Sequence, residues 1–190
     1  YEISACLVGS EMCIRDRTHT WVDSYPYSAI SIYALHPMYV DLSALGTLQD
    51  PERAAFYAGK QKELNAKDTV DYEEVLKYKL GYCQEYFGGE GKAVLDTPEF
   101  KEFLAQNESW LMPYATYCFL RESYGTSDFS QWQGNSIYNK TRVRALCREE
   151  SDAWPEISFT YFLQYVLHNQ FKSVSDLSLI HISEPTRQAE

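Results

Sequence analysis

The sequence has no run of apolar residues approaching the roughly 20 that a membrane-spanning helix needs. It is also short of positive charge, with 17 Lys and Arg against 27 Asp and Glu and a formal net charge of −10. Nucleic acids and anionic membrane surfaces both call for basic patches, so neither is an expected partner. Acidity of this size needs no cause beyond solubility. A secretory signal puts its positive charges before an apolar stretch, whereas in "SACLVGSEMCIRDR", residues 4–17, they follow a short one. Histidine is scarce, and His19, His36 and His168 are too scattered to suggest a ligand cluster. No metal site is expected. The "GGEGKA" stretch at 88–93 lacks the spacing of a phosphate-binding loop and has Ala93 where Ser or Thr should follow the lysine. Local spacing assembles no nucleophile, base and orienting group, so these residues show no catalytic centre.

The two ends do not read as protein. The tail "LSLIHISEPTRQAE", residues 177–190, can be encoded by a DNA segment whose reverse complement, shifted by one base, translates as residues 4–16 and opens the arginine codon of residue 17. Opposite strands of one segment have no reason to flank a natural chain. The pattern resembles a sequencing adapter on both sides of a short genomic insert, with residues 1–3 as its continuation. Residues 1–17 and 177–190 are therefore set aside as adapter-derived. Thr18 to Asp176 remains, with 14 basic against 22 acidic side chains and a formal charge of −8. Its length suits one domain or a slice of a larger one. Its three cysteines, Cys83, Cys118 and Cys147, are widely spaced and odd in number, which suits reduced thiols and a cytoplasmic setting. Cys83 and Cys118 sit among aromatics and read as small buried hydrophobes.

From Thr18 to about Leu48 the chain is aromatic and proline-marked, with neither a helical stripe nor clean alternation. An ordered loop is expected here, with a short extended piece at Met38 to Leu42. Apolar loops must be packed or bind something. Helical signals then follow in series. Asp50 and Pro51 start a helix to about Ala66. Tyr72 to Phe87 forms a second, stopped by Gly88 and Gly89. Thr97 and Pro98 open a third, and a further stretch from about Glu108 runs to Gly125, with Pro113 in its first turns or kinking it. Helices near 139–149 and 155–172 complete the set. In the last, Phe159, Phe162, Leu163, Val166, Leu167 and Gln170 draw a stripe that reads as core packing. The fragment is therefore expected to be mainly α.

Within the opening loop, "WVDSYPYS" places Trp21, Tyr25 and Tyr27 around Pro26, interleaved with Asp23, Ser24 and Ser28. Sugars present flat C–H faces and hydroxyl rims, which aromatic rings beside carboxylates and hydroxyls can hold. On composition alone core packing is the commoner explanation of the same rings.

The run "HTWVDSYPYSAISIYALHPMYVDLSALG" resembles a segment of glycoside hydrolase family 77, the 4-alpha-glucanotransferases. "QKELNAKDTVDYEEVLKYK", "WLMPYATYCFLRESYGTSDFSQW" and "FLQYVLHNQFKSVSD" resemble the same family in the same order. The resemblance implies a (β/α)8 barrel enzyme whose barrel is largely absent here. It divides the insert into an aromatic substrate-groove loop at 18–48 and a helical insertion at 49–176. It further implies retaining transfer of α-1,4-glucan segments between maltooligosaccharides, glycogen or starch, by a carboxylate nucleophile and an acid. Those catalytic carboxylates would lie beyond Asp176, no cofactor is required, and the oligomeric state is open. Tyr27 would stack on the glucose next to the scissile bond, with Ser24, Asp23 and Trp21 as weaker candidates for the same groove. Where many bacterial members have Ser-Pro-Tyr-Gln, this chain has Tyr25-Pro26-Tyr27-Ser28, so the outer two positions depart while Pro26 matches and Tyr27 keeps the family's active-site tyrosine. The alternative from a different class is a non-catalytic helical module that binds carbohydrate or protein.

Overall fold

A computed structural model describes the backbone of residues 30–182 and the side chains of residues 30–177. Five α-helices carry the fold: α1 (Pro51–Asn65), α2 (Tyr72–Gly88), α3 (Pro98–Tyr124), α4 (Lys140–Leu146) and α5 (Trp154–Ile182). Among the described residues there is no strand longer than a single bridge, at Leu35.

Helix boundaries follow local chemistry. The Asp50 carboxylate accepts from the Glu52 and Arg53 amides with Pro51 in the first turn, and the Asp71 carboxylate accepts from Glu74 N. Thr97 Oγ1 accepts from Phe100 N ahead of α3, and Asn139 Oδ1 accepts from Arg142 N ahead of α4. Each satisfies a donor that the first helical turn leaves unpaired. Gly125, at φ 64°, ends α3 in the left-handed conformation that glycine adopts without strain.

Two expectations need correction. The sequence suggests separate helices before and after about Glu108, yet α3 is continuous, with Pro113 inside it. An interior proline costs about 3 kcal/mol through a missing hydrogen bond and a ring clash. Leu111, Tyr114 and Ala115 on either side of it are buried, and each large apolar side chain so placed contributes roughly 1.5–3 kcal/mol, which offsets the break. The extended piece expected at Met38 to Leu42 instead begins in a 3-10 turn, Pro37–Tyr39. Pro37 presets its backbone angle, and His36 Nδ1 accepts from Met38 N at 3.1 Å.

α5 is the axis of the fold. Tyr161, Phe162, Leu163 and Gln164 are all buried, and four successive residues at about 100° each cover most of a helix's circumference. Such a helix must be surrounded. On one side α3 contributes Phe100, Phe103, Leu111, Tyr114 and Ala115 to a cluster with Ile157 and Tyr161 of α5 and with Ala34. On another, Cys83 of α2 and Val40 join Leu163 and Leu167. The rings of Phe162 and Phe87 lie 5.1 Å apart between them. α1 is peripheral and buries none of its residues. It is held to α2 by Arg53 and Tyr57, which both hydrogen-bond the Glu85 carboxylate, and by edge-on contact between the Tyr57 and Tyr82 rings at 5.3 Å.

Cys83, Cys118 and Cys147 form no disulfide. Cys83 is fully buried, as the aromatic context implies, and burial pushes its thiol up to about 12. Cys118 is only partly buried.

Candidate functional site

The residues singled out in the sequence, Trp21, Asp23, Ser24 and Tyr27, lie outside the described residues. The structure does show the segment that follows them, a strap over residues 34–42, and the surface beside its start.

The strap lies against α5 and α2. Ala34, His36, Met38 and Val40 are buried while the residues between them are more open, the two-residue period of a strand with one face inward. Its peptide groups are paired by side chains. Gln164 of α5 accepts from Leu35 N and donates to Leu35 O, both at 2.9 Å. Gln170 does the same with Asp41 N and O, also at 2.9 Å. Lys79 of α2 donates to Met38 O at 2.7 Å and Val40 O at 2.8 Å. Burial holds the Lys79 ammonium below the usual lysine range, opposed by the nearby Asp41 carboxylate. Downstream, Gly46 at φ 122° turns the chain where a side chain would strain it and meet the Tyr86 ring.

At the upstream end, Ile30 and Ser31 enter the wall of a groove of about 850 Å³. Its other walls are α3, through Trp110, Tyr114 and Tyr117, the loop with Phe129 and Trp132, and the approach to α4 with Ile137 and Tyr138. Tyr33 stacks on Trp110 with ring centres 5.9 Å apart and planes 28° apart. Trp132 is buried between Tyr117 and Tyr124, and its indole N–H donates to Thr126 O at 2.9 Å. Polar groups meet this apolar lining. Arg142 Nη1 donates to Asn135 Oδ1, and Asn135 Nδ2 donates to the Tyr124 hydroxyl, each at 3.1 Å. Phe129, Ile137 and Tyr138 are exposed, Ile137 to 83 %. Among the described residues no Asp or Glu lines the groove. It can bind a ligand, but it supplies neither of the paired carboxyl groups that glycosyl transfer needs.

Among the described residues no three His, Cys, Asp or Glu side chains gather as a metal site, and no helix is long and apolar enough to cross a membrane. Gly91 of "GGEGKA" lies buried in a 3-10 turn, Gly91–Asp96, where an added Cβ would sit 3.2 Å from Tyr86 O and 3.3 Å from the Phe162 ring. This glycine serves packing. The pairing roles of Gln164 and Lys79 escaped the sequence reading, and Gln170, read there as part of a packing stripe, pairs instead with the backbone of Asp41. The available signal was an amide side chain inside an apolar stripe, because a buried amide must find partners.

Fold and groove together define a helical module with an aromatic, amide-fringed cleft. The family is shown by similarity: the chain belongs to glycoside hydrolase family 77, described as 4-alpha-glucanotransferase, which matches residues 12–179. It is similar to 4-alpha-glucanotransferase DPE2 of Oryza sativa subsp. japonica, 40% identical over 155 residues, covering 82% of this chain and 16% of that protein. The 4-alpha-glucanotransferase of Chlamydia muridarum is 28% identical over 152 residues, covering 80% and 28%, and that of Chlamydia pneumoniae 27% over 156 residues, covering 82% and 29%. The chain thus spans less than a third of the length of these relatives. No solved structure gives a significant match.

Proposed function

We propose that this chain is the helical insertion and substrate-groove loop of a cytoplasmic 4-alpha-glucanotransferase built on a (β/α)8 barrel. The parent enzyme transfers segments of α-1,4-glucan between maltooligosaccharides, glycogen or starch by retaining double displacement. Its nucleophilic carboxylate and its acid lie in barrel segments beyond Asp176, and the reaction draws on no cofactor. Residues 18–48 form the loop at the glucan, 49–176 the insertion, and 1–17 and 177–190 are adapter-derived.

Tyr27 stacks on the glucose next to the scissile bond, and Trp21, Asp23 and Ser24 line the same groove. The observation that carries this reading is the family match over nearly the whole chain. The geometry supports it in one further respect. Ile30 and Ser31, which follow that loop in the sequence, line the aromatic groove. We read the groove as a wall of the glucan cleft.

The test is glucose release from maltotriose. The parent enzyme, expressed from the uncut gene, is expected to release it and this chain alone to release none. In the parent, Tyr27→Ala is expected to cut turnover at least about tenfold through lost orientation of the sugar, with little change in unfolding midpoint. Activity from the isolated chain, or equal losses of turnover and stability in the variant, would refute the assignment.

A further inference from the structure

Two glutamines on one helix each grip both polar groups of a single residue of the strap. A primary amide carries a donor nitrogen and an acceptor oxygen side by side, so Gln164 and Gln170 each pair with both peptide groups of one strap residue as a neighbouring strand would. α5 has no backbone groups to spare for this, because its own hydrogen bonds use them. Leu35 pairs with Gln164 and Asp41 with Gln170, and both pairs are 129 positions apart.

The equal offset is a geometric match. The interval from Gln164 to Gln170 rises about 9 Å along an α-helix. A fully extended strap over the interval from Leu35 to Asp41 would run to about 20 Å. The 3-10 turn Pro37–Tyr39 draws the strap in so that both ends meet their amides. Lys79 closes the other edge by binding the carbonyls of Met38 and Val40. A slip of one residue would unpair both glutamines together and turn Ala34, His36, Met38 and Val40 outward, so no neighbouring register is available.

We infer that Gln164, Gln170 and Lys79 are positioning residues that hold the strap in one register against α5 and α2 and thereby set the placement of the aromatic loop at the glucan. The inference rests on the proposed function. These side chains touch no reacting atom. They act through the strap, whose upstream end enters the groove wall at Ile30 and Ser31.

The experiment uses the intact parent enzyme with Gln170→Met, which keeps length and removes both polar ends at the half-buried site. Gln164→Met is the partner variant at the buried site, and Gln164→Met/Gln170→Met combines them. Deuterium exchange over residues 34–42 and maltotriose kinetics are both measured. The expected result is faster strap exchange and a fall in kcat/KM on the order of tenfold for each variant, the size expected of a misplaced binding group. The double variant should fall little further, because either loss already loosens the same strap. In a Tyr27→Ala background, Gln170→Met should add less than about twofold if the loss passes through the loop.

Exchange that rises while kcat/KM stays within twofold overturns the positioning role, as does a full, additive loss in the Tyr27→Ala background. Should Tyr27→Ala itself leave turnover intact, the proposed function fails, whereas the exchange data still report whether the glutamines hold the strap. If Gln164→Met does not fold, Gln170→Met and Lys79→Met carry the same comparison at less buried positions.

Discussion

Tyr161 offers a sharp test of the packing. Its hydroxyl is buried and has no hydrogen-bonding partner among the described residues, and the side chain is 2 % exposed. Burial, with a smaller part from the neighbouring Cys147 thiol, pushes its ionisation well above the usual tyrosine range. That thiol is engaged elsewhere, 3.4 Å from Thr116 Oγ1. A buried, unpaired polar group carries a desolvation cost of roughly 1–3 kcal/mol. Tyr161→Phe removes the oxygen and keeps the ring, including its edge-on contact with Trp154 at 6.1 Å. The cavity left by one oxygen offsets part of the gain, so the expected net effect is stabilisation of about 0.5–1 kcal/mol. For a chain of this size that raises the thermal midpoint by about 1–4 °C. Urea unfolding of both proteins should show a higher midpoint with an unchanged slope. A loss of more than about 1 kcal/mol would show that the hydroxyl is bonded, through the thiol or a trapped water, and refute the reasoning.

Two other perturbations probe the helix contacts. Gly91→Ala should destabilise by about 1–3 kcal/mol because the new methyl meets backbone and a buried ring, whereas Gly88→Ala, with nothing within 4 Å of the added carbon, should be neutral or slightly stabilising; urea midpoints of the pair decide this, and equal effects would contradict it. Glu85 is held below the usual carboxylate range, first by its hydrogen bond with Arg53. A depressed folded-state value means that its contribution is complete above the unfolded value near 4.5 and is lost as pH falls through the folded one. Protection of the α1 amides relative to their intrinsic exchange rates should therefore fall below about pH 4.5, and Glu85→Gln should show lower protection already at pH 7 with a weaker acid response. An α1 as well protected in the variant as in the parent sequence would mean that its docking does not depend on this carboxylate.

The helical part of the fold was legible because its signals are local. Asp50 with Pro51, Thr97 with Pro98, and Gly125 mark helix ends by chemistry within one turn. Pro113 misled because a local rule predicts a break, and only burial on both sides of it keeps α3 continuous. The strap misled for the opposite reason. Leu35, Pro37 and Tyr39 are themselves apolar, so the inward alternation of Ala34, His36, Met38 and Val40 is masked in the text and emerges only when one face meets α5. The family was legible from motif text, and the similarity over residues 12–179 shows it.

By itself the amino-acid order determined where the capped helices begin, that Cys83 is buried, and which family the chain joins, since each depends on neighbours in sequence or on direct likeness. Tertiary structure alone decided that α5 is encircled and that Leu35 and Asp41 meet amides 129 positions away. It alone also decided that Ile30 shares a groove with Trp110 and Tyr138. Such pairings turn on the angle at which helices cross and on the length a strap covers, and no local pattern of residues encodes either quantity.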